Sequence, residues 1–224
     1  MRIIAKFEKL DNVRFISHLD IQRLFQRAFR RADVPVAHSN GFNPHSLLSF
    51  ATALSVGYTS SAEWLDIKLC KDMDAANFVE AVNLTMPQGI KVTYAKQVDD
   101  GMPTLASLMQ RAKYSVRIAT QTKCDVEIAL AIARLMDGSI VVNKRTKAGM
   151  KDVDIRPMLY DMSVAHADEG CTVVNIEGCL DAAGSLNVEL LLKSLFDVIG
   201  RDMEFTVHRD EIIFADEAAL PSGT

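Results

Sequence analysis

The order of predicted strands and helices repeats along the chain, and this repeat constrains the fold more than any other feature of the sequence. In the first half, hydrophobic periodicity predicts the order β-α-β-β-α-β. The predicted elements are residues 2–7, 17–32, 34–38, 63–69, 74–85 and 90–98. The same order returns, with one extra strand, at 114–119, 125–136, 140–144, 158–165, 172–180, 187–199 and 204–214. The predicted fold class is therefore α+β, with two tandem ferredoxin-like (βαββαβ) halves.

A segment rich in turn-forming residues, 99–103, separates the two halves and is the predicted linker. We expect a first ferredoxin-like half at 1–99, a second at 104–214 and a flexible tail at 215–224. The chain has 224 residues, of which 49% are hydrophobic. A chain of this length and composition buries a substantial core without disulfides or metals.

Charge and cysteine content limit the classes of function. The net charge of -4 gives no global attraction to nucleic acid, so any such interaction has to be local. The four cysteines form no C-x-x-C pair, which favours free thiols in a reducing cytosol over a zinc or iron–sulfur site. The N-terminus lacks the apolar region of a signal peptide, and no apolar run approaches the roughly 18 residues of a membrane span. We expect a cytoplasmic protein with no membrane partner.

The first predicted helix has a well-specified start. Ser17 and Asp20 have the spacing of a capping box, in which the Ser17 side chain accepts a hydrogen bond from the Asp20 N–H. The apolar residues that follow share one face of the helix. They are Ile21, Leu24, Phe25, Ala28, Phe29 and Ala32.

The opposite face of this helix carries a ridge of four arginines. Their spacing is i, i+4, i+7 and i+8, and they are Arg23, Arg27, Arg30 and Arg31. Residues 1–31 hold eight Lys and Arg against three Asp and Glu. A solvated face of an amphipathic helix is the ordinary interpretation of such a run. Because guanidinium groups suit bidentate contacts with phosphate, an anion-binding ridge is the functional alternative.

Two histidines are the candidates for acid–base chemistry. His18 falls on the apolar side of the helix, so it is either a partly buried structural side chain or a general acid or base beside Asp20. The loop 39–45, dense in turn formers, contains Asn43 and His45 and is either functional or an Ω-like structural loop. The spacing of these side chains predicts no metal site.

A second basic segment lies in the second half. Its cationic residues fall within thirteen positions and are Lys144, Arg145, Lys147, Lys151 and Arg156, opposed by Asp152 and Asp154. Gly149 lies among them, which favours a hairpin or a crossover loop. Basic segments of this kind bind phosphate backbones; a solvated loop is the alternative. No aromatic residues interleave either basic segment, so the sequence does not support single-strand stacking.

Four motifs carry a resemblance to a known family. They are Ser17-His18-Leu19-Asp20, Gly41-Phe42-Asn43-Pro44-His45, Glu63-Trp64-Leu65-Asp66 and Asp154-Ile155-Arg156-Pro157. With the arginines of the first helix they resemble the radical SAM-linked proteins, a domain of unknown function found beside, or fused to, a cobalamin-binding radical SAM enzyme. In that family a proline and a lysine commonly follow the loop histidine. Ser46 and Leu47 stand there in this chain, which counts against a phosphate role for the loop.

The resemblance implies a radical SAM enzyme as partner but no settled activity. This chain lacks the C-x-x-x-C-x-x-C motif, so it is not itself the radical enzyme and we expect no cofactor. The leading hypothesis is a non-catalytic RNA-binding or adaptor protein that presents an RNA or protein substrate. The alternatives are a metal-independent RNA-cleaving or RNA-modifying enzyme that uses His18 or His45, and a protein–protein module. In the leading hypothesis a cleft is lined by Ser17, His18, Asp20, Asn43, His45, Glu63, Asp66, Asp154 and Arg156.

Overall fold

The alternating and helical hydrophobic patterns of the sequence become strands and helices that pack into two units. A computed structural model describes residues 1–120, 124–146 and 149–215, with the backbone alone at 145 and 146. Unit 1 comprises Met1–Met109 together with the described residues from Phe214 onward, and unit 2 comprises Gln110–Ile213. Apart from Ala215, the predicted tail lies outside the described residues.

Unit 1 packs helices against an antiparallel sheet. Its elements are β1 (Arg2–Lys9), α1 (His18–Arg31), β2 (Leu48–Phe50), β3 (Thr59–Lys68), α2 (Ala75–Asn83), β4 (Ile90–Val98) and the short α3 (Leu105–Leu108), with a 3-10 turn at Asp11–Phe15 before α1. The strands lie in the order β4-β1-β3-β2, and β1 pairs antiparallel with both β3 and β4.

The core of unit 1 is aromatic and aliphatic, and α1 contributes its apolar face to it. Phe25 of α1 is fully buried, with its ring centroid 4.8 Å from that of Phe7 and 5.5 Å from that of Phe50. Phe29, also on α1, contacts Phe78 of α2 at 5.8 Å between centroids. The predicted apolar face of the first helix is therefore confirmed, and its burial fixes the arginines on the outer side of α1.

Unit 2 repeats this sequence of elements with an insertion. Its elements are β5 (Met109–Ala119), α4 (Asp125–Asp137), β6 (Val141–Thr146), β7 (Gly149–Asp154), a 3-10 turn (Arg156–Met158), β8 (Leu159–Asp168), β9 (Cys171–Cys179), α5 (Val188–Ile199) and β10 (Phe205–Phe214). The order of its main strands is β10-β5-β9-β8. The insertion, β6 and β7, forms a separate two-stranded sheet.

The mixed α+β class is confirmed, but two local predictions are wrong. Residues 34–38 are not a strand: Val36 makes only an isolated bridge with Leu69. Pro35 has no N–H to donate, so a regular ladder does not form there. The second strand of unit 1 is instead Leu48–Phe50, which pairs with β3. In unit 2 there are two extra strands rather than one, and they form the hairpin β6–β7, which is one of the two forms that the sequence favours for this segment. No helix in the described part of the chain is long and apolar enough to cross a membrane.

Candidate functional site

The arginine ridge, defined as Arg23, Arg27, Arg30 and Arg31, lies on the exposed side of α1. Arg23 pairs with Asp20 at 3.2 Å, and both side chains are at least half exposed. Arg27 donates from Nε to the Arg23 carbonyl oxygen at 3.2 Å, and Arg31 donates from Nη2 to the Thr85 carbonyl oxygen at 2.7 Å. Within the described residues, no carboxylate lies within ion-pair distance of the other three guanidinium groups. The ridge therefore keeps most of its positive charge available to an anion.

The start of α1 is fixed as the capping box requires. Ser17 accepts from the Asp20 N–H at 3.2 Å and donates its hydroxyl to the Asp20 carboxylate at 2.7 Å. The Ser17 hydrogen bond, with a smaller contribution from Arg23, holds the pKa of Asp20 below its usual value. Asp20 is therefore ionised at neutral pH and accepts hydrogen bonds.

An open groove of about 500 Å³ runs along one flank of the ridge. It lies between α1 and the turn that follows α2, and it is lined by Ile16, Asp20, Leu24, Arg27, Arg31, Thr85, Met86 and Pro87. Two ridge arginines and one carboxylate thus share the groove with apolar side chains.

His18 lies in a different place, a small cavity of about 10 Å³ that it shares with Lys9 and Glu63. Lys9 is 2% exposed and donates from Nζ to the carbonyl oxygens of Arg14 and Ile16 at 3.2 and 3.3 Å. Desolvation lowers the pKa of both His18 and Lys9, and the charge of Glu63 opposes the shift in each case. A cavity of this size holds about one water at most. Desolvation thus favours the neutral imidazole of His18, and the cavity on its inner side has no room for a substrate.

His45 lies at the neck of the loop 39–45. Its Nδ1 is 2.8 Å from Ser39 Oγ, and its backbone N–H donates to the same oxygen at 3.1 Å. The loop itself is exposed, with Asn43 in solvent and the Phe42 ring fully exposed at the tip. His45 therefore closes the loop.

A shallow groove of about 450 Å³ beside His45 is lined by charged residues that already have partners. Arg2 Nη2 lies 2.6 Å from Asp66 Oδ2, and Lys68 Nζ lies 3.1 Å from Asp100 Oδ2. His45 is therefore beside charges that neutralise one another, and the Asp66 carboxylate is already paired with Arg2.

Asp154 and Arg156 have structural roles in unit 2. Asp154 Oδ1 accepts from the backbone N–H groups of Ile140 and Arg156, each at 2.9 Å. The Arg156 guanidinium donates to the carbonyl oxygens of Met136 and Leu159 at 3.0 and 2.8 Å. These bonds anchor the base of the hairpin to the end of α4.

The basic hairpin, β6–β7, presents its lysines side by side. Lys144 lies directly opposite Lys151, and both are exposed. Like charges in this position are unfavourable in a two-stranded ribbon. A 2.6 Å hydrogen bond from Asn143 to Asp152 supports the neighbouring pair. The side chain of Arg145 and all of Lys147, both predicted to bind phosphate, lie outside the described residues.

The residues of the predicted cleft in unit 1 do not line one cavity. Ser17 caps α1, and Asp20 lines the groove beside the ridge. His18 and Glu63 line the small cavity, and His45 and Asp66 line the charged groove. The two histidines thus line different cavities. Sequence patterns do not reveal the burial of Lys9 beside Glu63, because it depends on pairing between β1 and β3.

Comparison with known proteins gives a family and a fold. A family model described as "Uncharacterized protein conserved in bacteria (DUF2344)" matches residues 2–189. No curated protein matches the chain. A chain in the crystal structure of a Cbf5-Nop10-Gar1 complex is similar with a TM-score of 0.55 and 8% identity, over 96% of this chain and 50% of that one. A chain of the archaeal box H/ACA sRNP Nop10-Cbf5 complex matches with a TM-score of 0.50 and 7% identity, over 92% and 46%. This chain spans about half the length of those chains, and identity this low shows a shared fold alone.

Proposed function

We propose that this chain, a member of the family of uncharacterized bacterial proteins DUF2344, is a non-catalytic RNA-binding adaptor that works with a radical SAM enzyme. The radical SAM partner rests on the sequence resemblance of the Ser17–Asp20 helix start and the 41–45 loop. RNA binding rests on the two basic surfaces. We further propose that each unit is a ferredoxin-like fold, since each has four main strands in the corresponding order, with the fourth beside the first.

The arginine ridge is the observation that carries the proposal. From Arg23 to Arg31 the helix rises about 12 Å, comparable to the rise of three to four stacked nucleotides. Guanidinium groups bind phosphate oxygens in pairs of hydrogen bonds, and they are less strongly hydrated than ammonium groups. A ridge of this length therefore suits consecutive phosphates of one RNA strand.

The basic hairpin supplies a second, independent surface. Lys144 and Lys151 repel each other across the ribbon, and a polyanion bound to both relieves that repulsion. No catalytic group is needed for this interaction.

The enzyme alternative has less support. A general base requires a substrate proton within about 3 Å, and the cavity beside His18 is only about 10 Å³. His45 is hydrogen-bonded to Ser39 and faces carboxylates that are already paired. These placements favour binding over catalysis by either histidine.

A salt series tests the proposal. Binding of the purified protein to cellular RNA is measured from about 50 to 200 mM salt, where each phosphate contact on a single strand contributes a slope of about −0.7 in log K against log salt. Four ridge contacts predict a slope of about −2.8, which is about a 50-fold loss of affinity over that range. Changing Arg23, Arg27, Arg30 and Arg31 to Ala should remove most of that slope.

A matched control removes four positive charges elsewhere. Lys71, Lys91, Arg134 and Lys193 are exposed and lie off the ridge and the hairpin. Their change to Ala should leave most of the slope intact. Equal losses in the two variants would mean that net charge, rather than the ridge, governs binding. No RNA binding by the unmodified protein would refute the proposal and direct attention to an acidic protein surface as the ligand of the ridge.

A further inference from the structure

The groove beside the arginine ridge has a preformed shape. Thr85 forms one wall, and its Oγ1 lies 2.9 Å from the Val82 carbonyl oxygen of α2 and 3.2 Å from the Ala28 carbonyl oxygen of α1, so the two acceptors share one proton. Arg31 on α1 donates to the Thr85 carbonyl oxygen at 2.7 Å. The Arg31 bond, with the longer contact from Thr85 to Ala28, ties α1 to the turn after α2.

The wall of the groove is apolar, while its rim is charged. Ile16, Leu24 and Met86 each pack partly against the core of unit 1 and leave part of their surface in the groove. Arg27 and Arg31 stand at the rim on the ridge side. At about 500 Å³, the groove is within the usual size range of small-molecule sites, which combine an apolar lining with a few polar groups.

The single carboxylate in the groove distinguishes between possible anionic ligands. Asp20 is held by Ser17 and Arg23 at one end of the groove. The carboxylates of an acidic peptide suit the arginines but offer Asp20 no hydrogen-bond donor. A nucleotide brings N–H donors on its base and an O–H donor on its ribose, and Asp20 accepts from either. The combination of arginines, apolar wall and acceptor fits a nucleotide and not a peptide acid.

We propose that this groove holds one unpaired ribonucleotide of an RNA strand, with its phosphates on Arg27 and Arg31, its base against Leu24 and Met86, and Asp20 accepting from the base edge or the 2′-hydroxyl. The inference rests on the proposed RNA binding and adds to it. The ridge alone recognises a phosphate backbone without regard to bases. The groove makes binding depend on an unpaired base.

The test compares two ligands with the same phosphates: a short single-stranded RNA and a fully abasic strand of equal length. A base that covers about 40 Å² of apolar surface in the groove gains about fivefold in affinity. The protein should therefore prefer the RNA over the abasic strand by about fivefold at one salt concentration. Met86→Ser should reduce this preference, because it removes part of the apolar wall.

Asp20→Asn should change the affinity for the abasic strand and the preference for RNA in opposite directions, which a purely structural role of Asp20 would not produce. Removal of the negative charge should strengthen binding of the abasic strand, while the loss of a carboxylate acceptor should reduce the preference for RNA. A circular dichroism melt of each variant checks that unit 1 remains folded.

The outcomes separate the inference from the proposed function. Equal, salt-sensitive binding of RNA and abasic strand would overturn the groove assignment and leave the ridge as a backbone-binding surface. Absence of binding to both would overturn both proposals. Displacement of the RNA by poly-glutamate as effectively as by abasic strand would overturn the groove assignment in favour of an acidic protein ligand.

Discussion

Replacement of Arg27 by Gln should stabilise the protein at low salt while it weakens binding to RNA. Arg27 is the centre of the ridge: it has like-charged neighbours at i−4 (Arg23), i+3 (Arg30) and i+4 (Arg31). Each like-charge pair at this spacing on an exposed helix costs about 0.2–0.5 kcal/mol. Loss of three such pairs raises the free energy of unfolding by about 0.6–1.5 kcal/mol, or about 1–6 °C in melting temperature for a chain of this size. In RNA binding, the same change should reduce the magnitude of the salt slope by about 0.7.

The assay is urea or thermal unfolding at about 20 mM and about 1 M salt, since charges at the surface are screened beyond about 3 Å at the higher concentration. The stabilisation should be present at low salt and vanish at high salt. Arg134→Gln is the matched control. Arg134 is exposed on α4 and has Leu130, Ala131 and Asp137 among its helical neighbours, so its removal should be neutral or slightly destabilising. An Arg27→Gln variant that is no more stable than the wild type at low salt would refute the charge-repulsion reasoning.

Three further changes test the frame that positions the ridge. Ser17→Ala removes the N-cap of α1 and should lower the free energy of unfolding, measured by urea titration, by about 1 kcal/mol. Ser17→Gly should lower it by only a few tenths of a kcal/mol. Equal losses in the two variants would argue against the cap. Phe25→Ala leaves a cavity among buried rings and should lower the free energy of unfolding by about 3–5 kcal/mol, so that the helical signal is lost at a lower denaturant concentration. A loss below about 1 kcal/mol would contradict the packing. The folded-state pKa of His18 is lowered from 6.5 by burial, so the unfolded chain takes up its proton first and stability falls as pH drops below about 6.5 toward the folded-state pKa. His18→Gln should flatten this part of the stability profile, and an unchanged profile would exclude His18 as its source.

Local sequence patterns predict the helices of this fold well, and most of the strands. α1 begins one residue after its predicted cap, because Ser17 and Asp20 determine the start and the apolar face determines the burial. β4 coincides with its prediction at Ile90–Val98. The failures are elements that depend on distant partners. Residues 34–38 have β-prone side chains, but Pro35 lacks a donor, and Leu48–Phe50 takes the place beside β3.

The second strand of the basic hairpin shows the same limit. Gly149–Asp154 contains glycine, lysine and aspartate, which have low strand propensity. It is a strand because Val153 pairs with Val142 and Asp152 accepts from Asn143. These pairings can be predicted only if the turn that joins the two strands is already known.

The candidate site is only partly predictable. The arginine ridge follows from helical periodicity alone. The groove beside it does not, because Thr85 and Met86 lie more than fifty residues from α1 and reach it only through the packing of α2. The residues of the predicted cleft in unit 1 lie in different places for the corresponding reason, since the sequence does not show which face each strand presents.

Photo-cross-linking of RNA to the purified protein, followed by mass spectrometry of the linked peptides, tests the central claim most directly. We expect cross-links to the peptide that contains α1, to residues 85–87 beside it, and to the hairpin 141–154. Cross-links confined to other parts of the surface, with α1 unlabelled, would contradict the claim that the arginine ridge of this protein binds RNA.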